Sequence, residues 1–142
     1  MRIKTAVSKE EIDICFLVMK QLRPHLSSDA FVAKVERQMT AHSYSLVYCE
    51  EDGAVKAVAG YRIFECLAWG KALYVDDLVT DEVSRGKGYG SELIDWILEK
   101  AKVSGCDQFH LDSGVQRFEA HRFYLHKKMD ITGHHFALKL KA

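Results

Sequence analysis

The sequence predicts a mixed α/β domain of the α+β type: a mostly antiparallel sheet flanked by helices, with elements in the order βααβββαβαβ. Three observations carry that prediction. Apolar residues recur at helical spacing across the first third of the chain, a β-rich middle is broken by an Asp-Gly dipeptide, and helical spacing returns directly after a cluster of glycines.

A short strand opens the chain at residues 3–7. Ser8 and Glu11 then form an S-x-x-E capping box, in which each side chain satisfies the other residue's backbone donor, ahead of Ile12, Cys15, Phe16, Met19 and Leu22 at helical spacing. Pro24, which lacks an N–H and clashes with the preceding turn, ends that helix. A second helix spans residues 28 to about 42, with Phe31, Val32, Val35 and Met39 on one face and Lys34, Arg37 and Gln38 opposite. Residues 44–49 and 55–67 flank Glu51-Asp52-Gly53, the chemistry of a tight hairpin. Gly70 separates a third strand at 72–79, completing an antiparallel meander. From Gly88 onward Leu93, Ile94, Ile97, Leu98 and Ala101 make one helical stripe, ending near Gly105. Residues 109–111 form a short strand, a further helix covers roughly 117–127, and residues 131–140 return to strand-like alternation.

The 142 residues hold 20 basic and 20 acidic side chains and are 48% apolar, the composition of one compact domain over 1–142 with a real core. Zero net charge argues against nucleic acid as a partner, for which a basic surplus is the footprint. The most apolar run, residues 12–19, is interrupted by Asp13 and is far shorter than the roughly 18 residues a membrane span needs, so no membrane partner is expected. The opening MRIKTAVSKEE lacks a secretory apolar region, which predicts a cytoplasmic location. Cys15, Cys49, Cys66 and Cys106 lie far apart with no C-x-x-C, reading as reduced residues rather than a disulfide or zinc framework. His134 and His135 are adjacent on the last expected strand and face opposite ways, and with no third ligand at suitable spacing no metal is expected.

The most informative segment joins the strand YVDDLVT to a helix through Arg85-Gly86-Lys87-Gly88-Tyr89-Gly90-Ser91. Alternating glycines turn successive N–H groups toward one point, and a helix N-terminus adds partial positive charge, so the loop suits an anion such as a pyrophosphate. Arg85 and Lys87 reinforce it. G-x-G-x-G is neither G-x-G-x-x-G nor G-x-x-x-x-G-K-[ST], so a dinucleotide dehydrogenase or a P-loop kinase is disfavoured.

R-x-x-G-x-G at Arg85, Gly88 and Gly90, between that strand and an amphipathic helix, resembles the coenzyme A loop of the GNAT superfamily of N-acyltransferases. Ala120-His121-Arg122-Phe123-Tyr124, about thirty residues on, is similar to the family's A-x-x-F-Y segment, and the element order resembles the GNAT fold over essentially the whole chain. The longer string from Glu119 to Leu125, followed by a His-Phe in the last strand, is similar to small-molecule acetyltransferases of the aminoalkylphosphonate type.

The resemblance implies acetyl-CoA as co-substrate and a small primary amine as acceptor, with direct attack in a ternary complex and no metal. It admits a homodimer. It leaves open a protein N-terminal or lysine acetyltransferase and, from another class, a non-catalytic acyl-CoA-binding or sensing module. An alkyl ammonium of pKa near ~10 is only about one-thousandth neutral at pH 7, so a base must take its proton, directly or through water. Asp76 and Asp77 are the candidates, with Asp76 favoured and a structural ion pair the alternative for each; adjacent strand residues are expected on opposite faces. By resemblance, a main-chain N–H at Leu78 or Val79 faces the developing oxyanion, and those two residues pair with the pantetheine amides. The amides of Arg85, Gly86, Lys87, Gly88, Tyr89 and Gly90, with Ser91, hold the pyrophosphate, and Tyr124 protonates the departing thiolate. The chain departs from the family pattern at Arg117, where many members carry Asn, and at Lys128-Met129, where Gly and an aromatic are common. Arg117 puts a cation within reach of a coenzyme phosphate, and Lys128 either strains a left-handed helix end by about 1 kcal/mol or the helix stops differently.

Overall fold

The computed structural model describes all residues 1–142 and comprises two compact units, Met1–His110 and Leu111–Ala142. The first holds β1 (Arg2–Thr5), α1 (Lys9–Asp13), α2 (Phe16–Leu22), α3 (Ser28–His42), β2 (Tyr44–Glu51), β3 (Ala54–Cys66), β4 (Gly70–Thr80), a 3-10 turn (Glu82–Ser84), α4 (Tyr89–Val103) and nearly all of β5 (Gln108–Leu111). The strands form one sheet in chain order, β1 to β5, and β1 through β4 are antiparallel.

Local chemistry explains most boundaries. Ser8 and Glu11 close the capping box as expected. The first expected helix is two: Ile14 and Cys15 keep right-handed backbone, but the Cys15 N–H donates to the Ile12 carbonyl three residues back (3.1 Å), a one-residue tightening that separates α1 from α2. Arg23, displaced from helical angles by the following Pro24, stops α2 at Leu22. Asp52 and Gly53 both adopt positive φ (54° and 74°), the two left-handed residues a tight β2–β3 hairpin requires. At the end of α4, the Cys106 N–H donates to the Ala101 carbonyl and the Gly105 N–H to that of Lys102 (3.0 Å each), with Gly105 at φ +74°, a Schellman stop.

The sheet carries helices on both faces. Ile12, Cys15, Phe16, Val18, Met19, Phe31 and Val35 from α1 to α3 pack with Leu46, Tyr48, Val58 and Val79 of the sheet. On the other side α4, through buried Leu93, Ile94, Ile97 and Ala101, contacts β2, β3 and β4. Burial of each large residue on that stripe contributes roughly 1.5–3 kcal/mol, which fixes where the N-terminus of α4 sits against β4. Cys15 and Cys49 are buried free thiols and Cys66 and Cys106 are half-buried free thiols; burial pushes the Cys15 thiol up to about 12.

The second unit contains α5 (Phe118–His126). The strand expected over 131–140 is absent. Its alternation supplies the side-chain pattern of a strand, but no neighbouring strand supplies the main-chain ladder that makes one. No helix of the molecule is long and apolar enough to cross a membrane.

Candidate active site

β4 runs through the 3-10 turn into the glycine loop and α4. Two contacts fix the approach: the Gln21 side-chain amide on α2 donates to Asp81 (2.8 Å), and its carbonyl oxygen accepts from the Glu82 N–H (2.9 Å). Gly86 and Gly88 hold φ of +80° and +89°, and a Cβ on either would meet nothing within 4 Å, so backbone handedness rather than crowding demands glycine at both. Gly90 is demanded by proximity, since its Cβ would lie 2.9 Å from the Thr80 hydroxyl oxygen.

Gly88 caps α4 with no side-chain hydrogen bond, so no capping side chain takes up the first amides of this 15-residue helix. Arg85 and Lys87 are exposed beside them. The Tyr89 ring is spent on structure: its hydroxyl donates to Glu51, which pushes the phenol up to about 12 and ties the first turn of α4 to the end of β2. Its main-chain N–H stays in the cradle. This donor set suits a pyrophosphate.

Beside the loop, β4 carries a bulge. Gly60 pairs with Asp77 and Tyr61 with Val75, so Asp76 is an extra residue and the expected alternation of the two carboxylates breaks. Both carboxylates turn to the same face, because their partners Tyr44 and Arg62 sit directly opposite one another across the β2–β3 ladder. Asp76 accepts two bonds from Arg62 (2.7 and 2.9 Å). Asp77 accepts from the Tyr44 hydroxyl (2.8 Å) and from Arg23 (3.0 Å), whose guanidinium also donates to the Asp76 carbonyl (2.9 Å). Burial, reinforced by Asp77, drives the Tyr44 phenol well above its usual value, so it remains the proton donor in that bond. The Arg62 guanidinium also lies over the rings of Phe64 (5.3 Å) and Tyr74 (5.4 Å).

Leu78 and Val79 pair with Ala59 and Val58 on the β3 side. On the opposite side β5 begins where the Asp107 N–H donates to the Lys71 carbonyl (2.7 Å). Four residues of strand reach about 13 Å, short of the roughly 23 Å between Lys71 and Leu78, so β5 does not cover that end of β4.

In the second unit Tyr124 is half-buried on α5, edge-on to Phe123 with centroids 5.5 Å apart. Burial raises its phenol above the usual value, opposed by Arg117. Arg117 is the exposed cap residue at the start of α5. The His121 ring lies 2.8 Å from the Gly114 carbonyl. Lys128 takes the left-handed conformation (φ +66°), and the Met129 and Lys128 N–H groups close a Schellman stop on the Tyr124 and Leu125 carbonyls.

A sequence profile of the acetyltransferase (GNAT) family matches residues 12–129. The chain belongs to the GNAT acetyltransferase family. It is 34% identical over 127 residues, covering 89% of each chain, to a protein of Bacillus subtilis named uncharacterized N-acetyltransferase YhdJ. It is 27% identical over 112 residues (79% of this chain and 71% of the relative) to the aminoalkylphosphonate N-acetyltransferase of Salmonella typhimurium. In fold it matches the aminoglycoside N-acetyltransferase AAC(6')-Iy, solved with coenzyme A, at a TM-score of 0.83 with 15% identity, covering 99% of this chain and 96% of that one.

GNAT enzymes use acetyl-CoA, and the open, cation-flanked amides at the start of α4 fit its pyrophosphate. Sequence reasoning about this GNAT chain missed Arg23, Tyr44, Arg62, Gly60 and Gln21. A Cβ on Gly60 would lie 1.7 Å from the Tyr44 hydroxyl oxygen, so that glycine exists to let the phenol cross β3 and reach Asp77. A lone glycine inside a strand pattern is the one signal of this kind that the sequence carries.

Proposed function

We propose that residues 1–142 act as one acetyltransferase domain that transfers the acetyl group of acetyl-CoA to the primary amine of a small molecule, by direct attack in a ternary complex. The observation that carries this reading is the cradle at the start of α4, placed at the end of a strand whose bulge holds two carboxylates on one face. The likeness to an enzyme named for aminoalkylphosphonate acetylation supports a small acceptor. Direct transfer is supported by the state of the thiols: Cys15 and Cys49 are buried with raised pKa values, and thiols so held are poor acyl carriers.

Bound acetyl-CoA supplies an activated thioester. The amides of Arg85 to Gly90, with Ser91, hold its pyrophosphate, and Arg117 offers a guanidinium to a phosphate. Leu78 and Val79 present the stretch of β4 that β5 leaves uncovered to the pantetheine amides, and an N–H there faces the oxyanion. Asp76 is the more exposed carboxylate of the pair and takes the ammonium proton through water while Arg62 fixes both its oxygens. Asp77, held by Tyr44 and Arg23, orders that water. Tyr124 returns a proton to the departing sulfur, and burial keeps the phenol protonated well past neutral pH.

Thiol release from acetyl-CoA across a panel of small amines tests this reading. Turnover with at least one amine is expected, with its basic limb above pH 10. Tyr124→Phe should lower kcat by about 10²-fold or more while the thermal shift given by coenzyme A is retained. Absence of turnover with every amine, or an unchanged kcat in the variant, overturns it.

A further inference from the structure

The segment 131–140 is unusual in this molecule. Ile131, Phe136, Leu138 and Leu140 are between 76% and 92% exposed, four large apolar side chains within ten residues. From Phe136 onward they fall at every second position and alternate with Ala137, Lys139 and Lys141, the pattern of a strand with one buried face. Yet the segment pairs with nothing. The sheet has a matching deficiency: β5 is an edge strand of only four residues, with its outer N–H and C=O groups unpaired and Phe109 and Leu111 half-buried along it.

We propose that residues 131–140 are a strand given to the β5 edge of a second copy of this chain, which gives its own in return. Charge supports that occupant: no acidic residue follows Asp130, whereas Lys139 and Lys141 do, and β5 is flanked by Asp107 and Asp112. Reciprocity satisfies both open edges with one two-fold operation and leaves none for further growth. Size supports it as well. Eight large apolar side chains at roughly 100–150 Å² each, with the surface they cover, take about 1,600 Å² or more out of water, the extent of a stable dimer interface. The rival is pairing within one chain, since His135 already lies 3.5 Å from Asp112 of its own copy.

Sedimentation of the full-length protein over a concentration series tests the exchange. A species of twice the chain mass is expected, and Phe136→Asp with Leu138→Asp should halve it with an unchanged circular-dichroism spectrum. Hydrogen exchange on the wild type gives a readout that does not depend on the variant folding: amides of residues 136–140 should be protected in the dimer and lose protection on dilution. In a mixture of isotopically light and heavy copies, cross-links from Lys139 to residues around β5 should join unlike copies. A wild-type monomer at every concentration, a dimer that survives the double substitution, unprotected amides in the dimer, or Lys139 cross-links confined to like copies would each overturn the proposal.

Discussion

Lys128 shows how far a single residue can be read. It occupies the position after α5 where glycine is usual, and it accepts φ +66° while the Schellman bonds form around it. A left-handed L-residue costs about 1 kcal/mol, so Lys128→Gly should raise unfolding free energy by about that amount, measured from the denaturant midpoint at unchanged slope. An equal or lower midpoint would mean that the lysine side chain contributes more than its backbone costs. This strain was legible because helix-end chemistry is local to a few residues. The partners of the two carboxylates were not. Arg23 lies 54 residues from Asp77, Tyr44 lies 33 residues from it, and Arg62 lies 14 from Asp76, so only the finished meander brings them together. No spacing rule links residues so far apart, and the bulge that turns both carboxylates to one face depends on cross-strand register rather than on the sequence of β4 alone.

At the scale of elements, those with a local cause were legible and those with a distant cause were not. The α1 capping box, the α3 bounds, the β2–β3 turn and the glycine stop of α4 each follow from a few adjacent residues. The segment 131–140 has the alternation of a strand but depends on a partner strand that the alternation does not specify. The capping box makes a pH prediction. The Glu11 carboxylate accepts from the backbone N–H groups of Ser8 and Val7, and these bonds hold its pKa below the ordinary 4.5. A carboxylate depressed on folding stabilises the folded state above its unfolded pKa, and that contribution is lost as pH falls through the folded value. The stability of the wild type should therefore decline below about pH 4.5 more than that of Glu11→Gln, followed by thermal midpoint against pH. Ser8→Ala, which removes the other half of the box, should cost about 1 kcal/mol at neutral pH.

Across the whole molecule, 20 basic and 20 acidic side chains cancel, yet they do not cancel everywhere. Around the β4 bulge Arg23 and Arg62 are matched by Asp77 and Asp76, so that region is locally neutral. At the start of α4 the exposed Arg85 and Lys87 stand beside uncapped amides, and the nearest first-turn carboxylate is Glu92. A phosphorylated ligand therefore meets positive potential at one place on a molecule with no net field, and attraction of that kind is screened by salt: the Debye length falls from about 10 Å near 0.1 M to about 3 Å near 1 M. Stability rests mainly on the apolar packing of both sheet faces, which salt does not screen. Coenzyme A affinity, measured by titration calorimetry, should weaken several-fold over that salt range while the thermal midpoint of the free protein moves little. Arg85→Gln with Lys87→Gln should weaken binding at low salt and flatten its salt dependence, since the charges being screened are then gone. If the double variant kept the full salt dependence, the phosphates would be held by other cations, and Arg117 on the second unit would be the next to substitute.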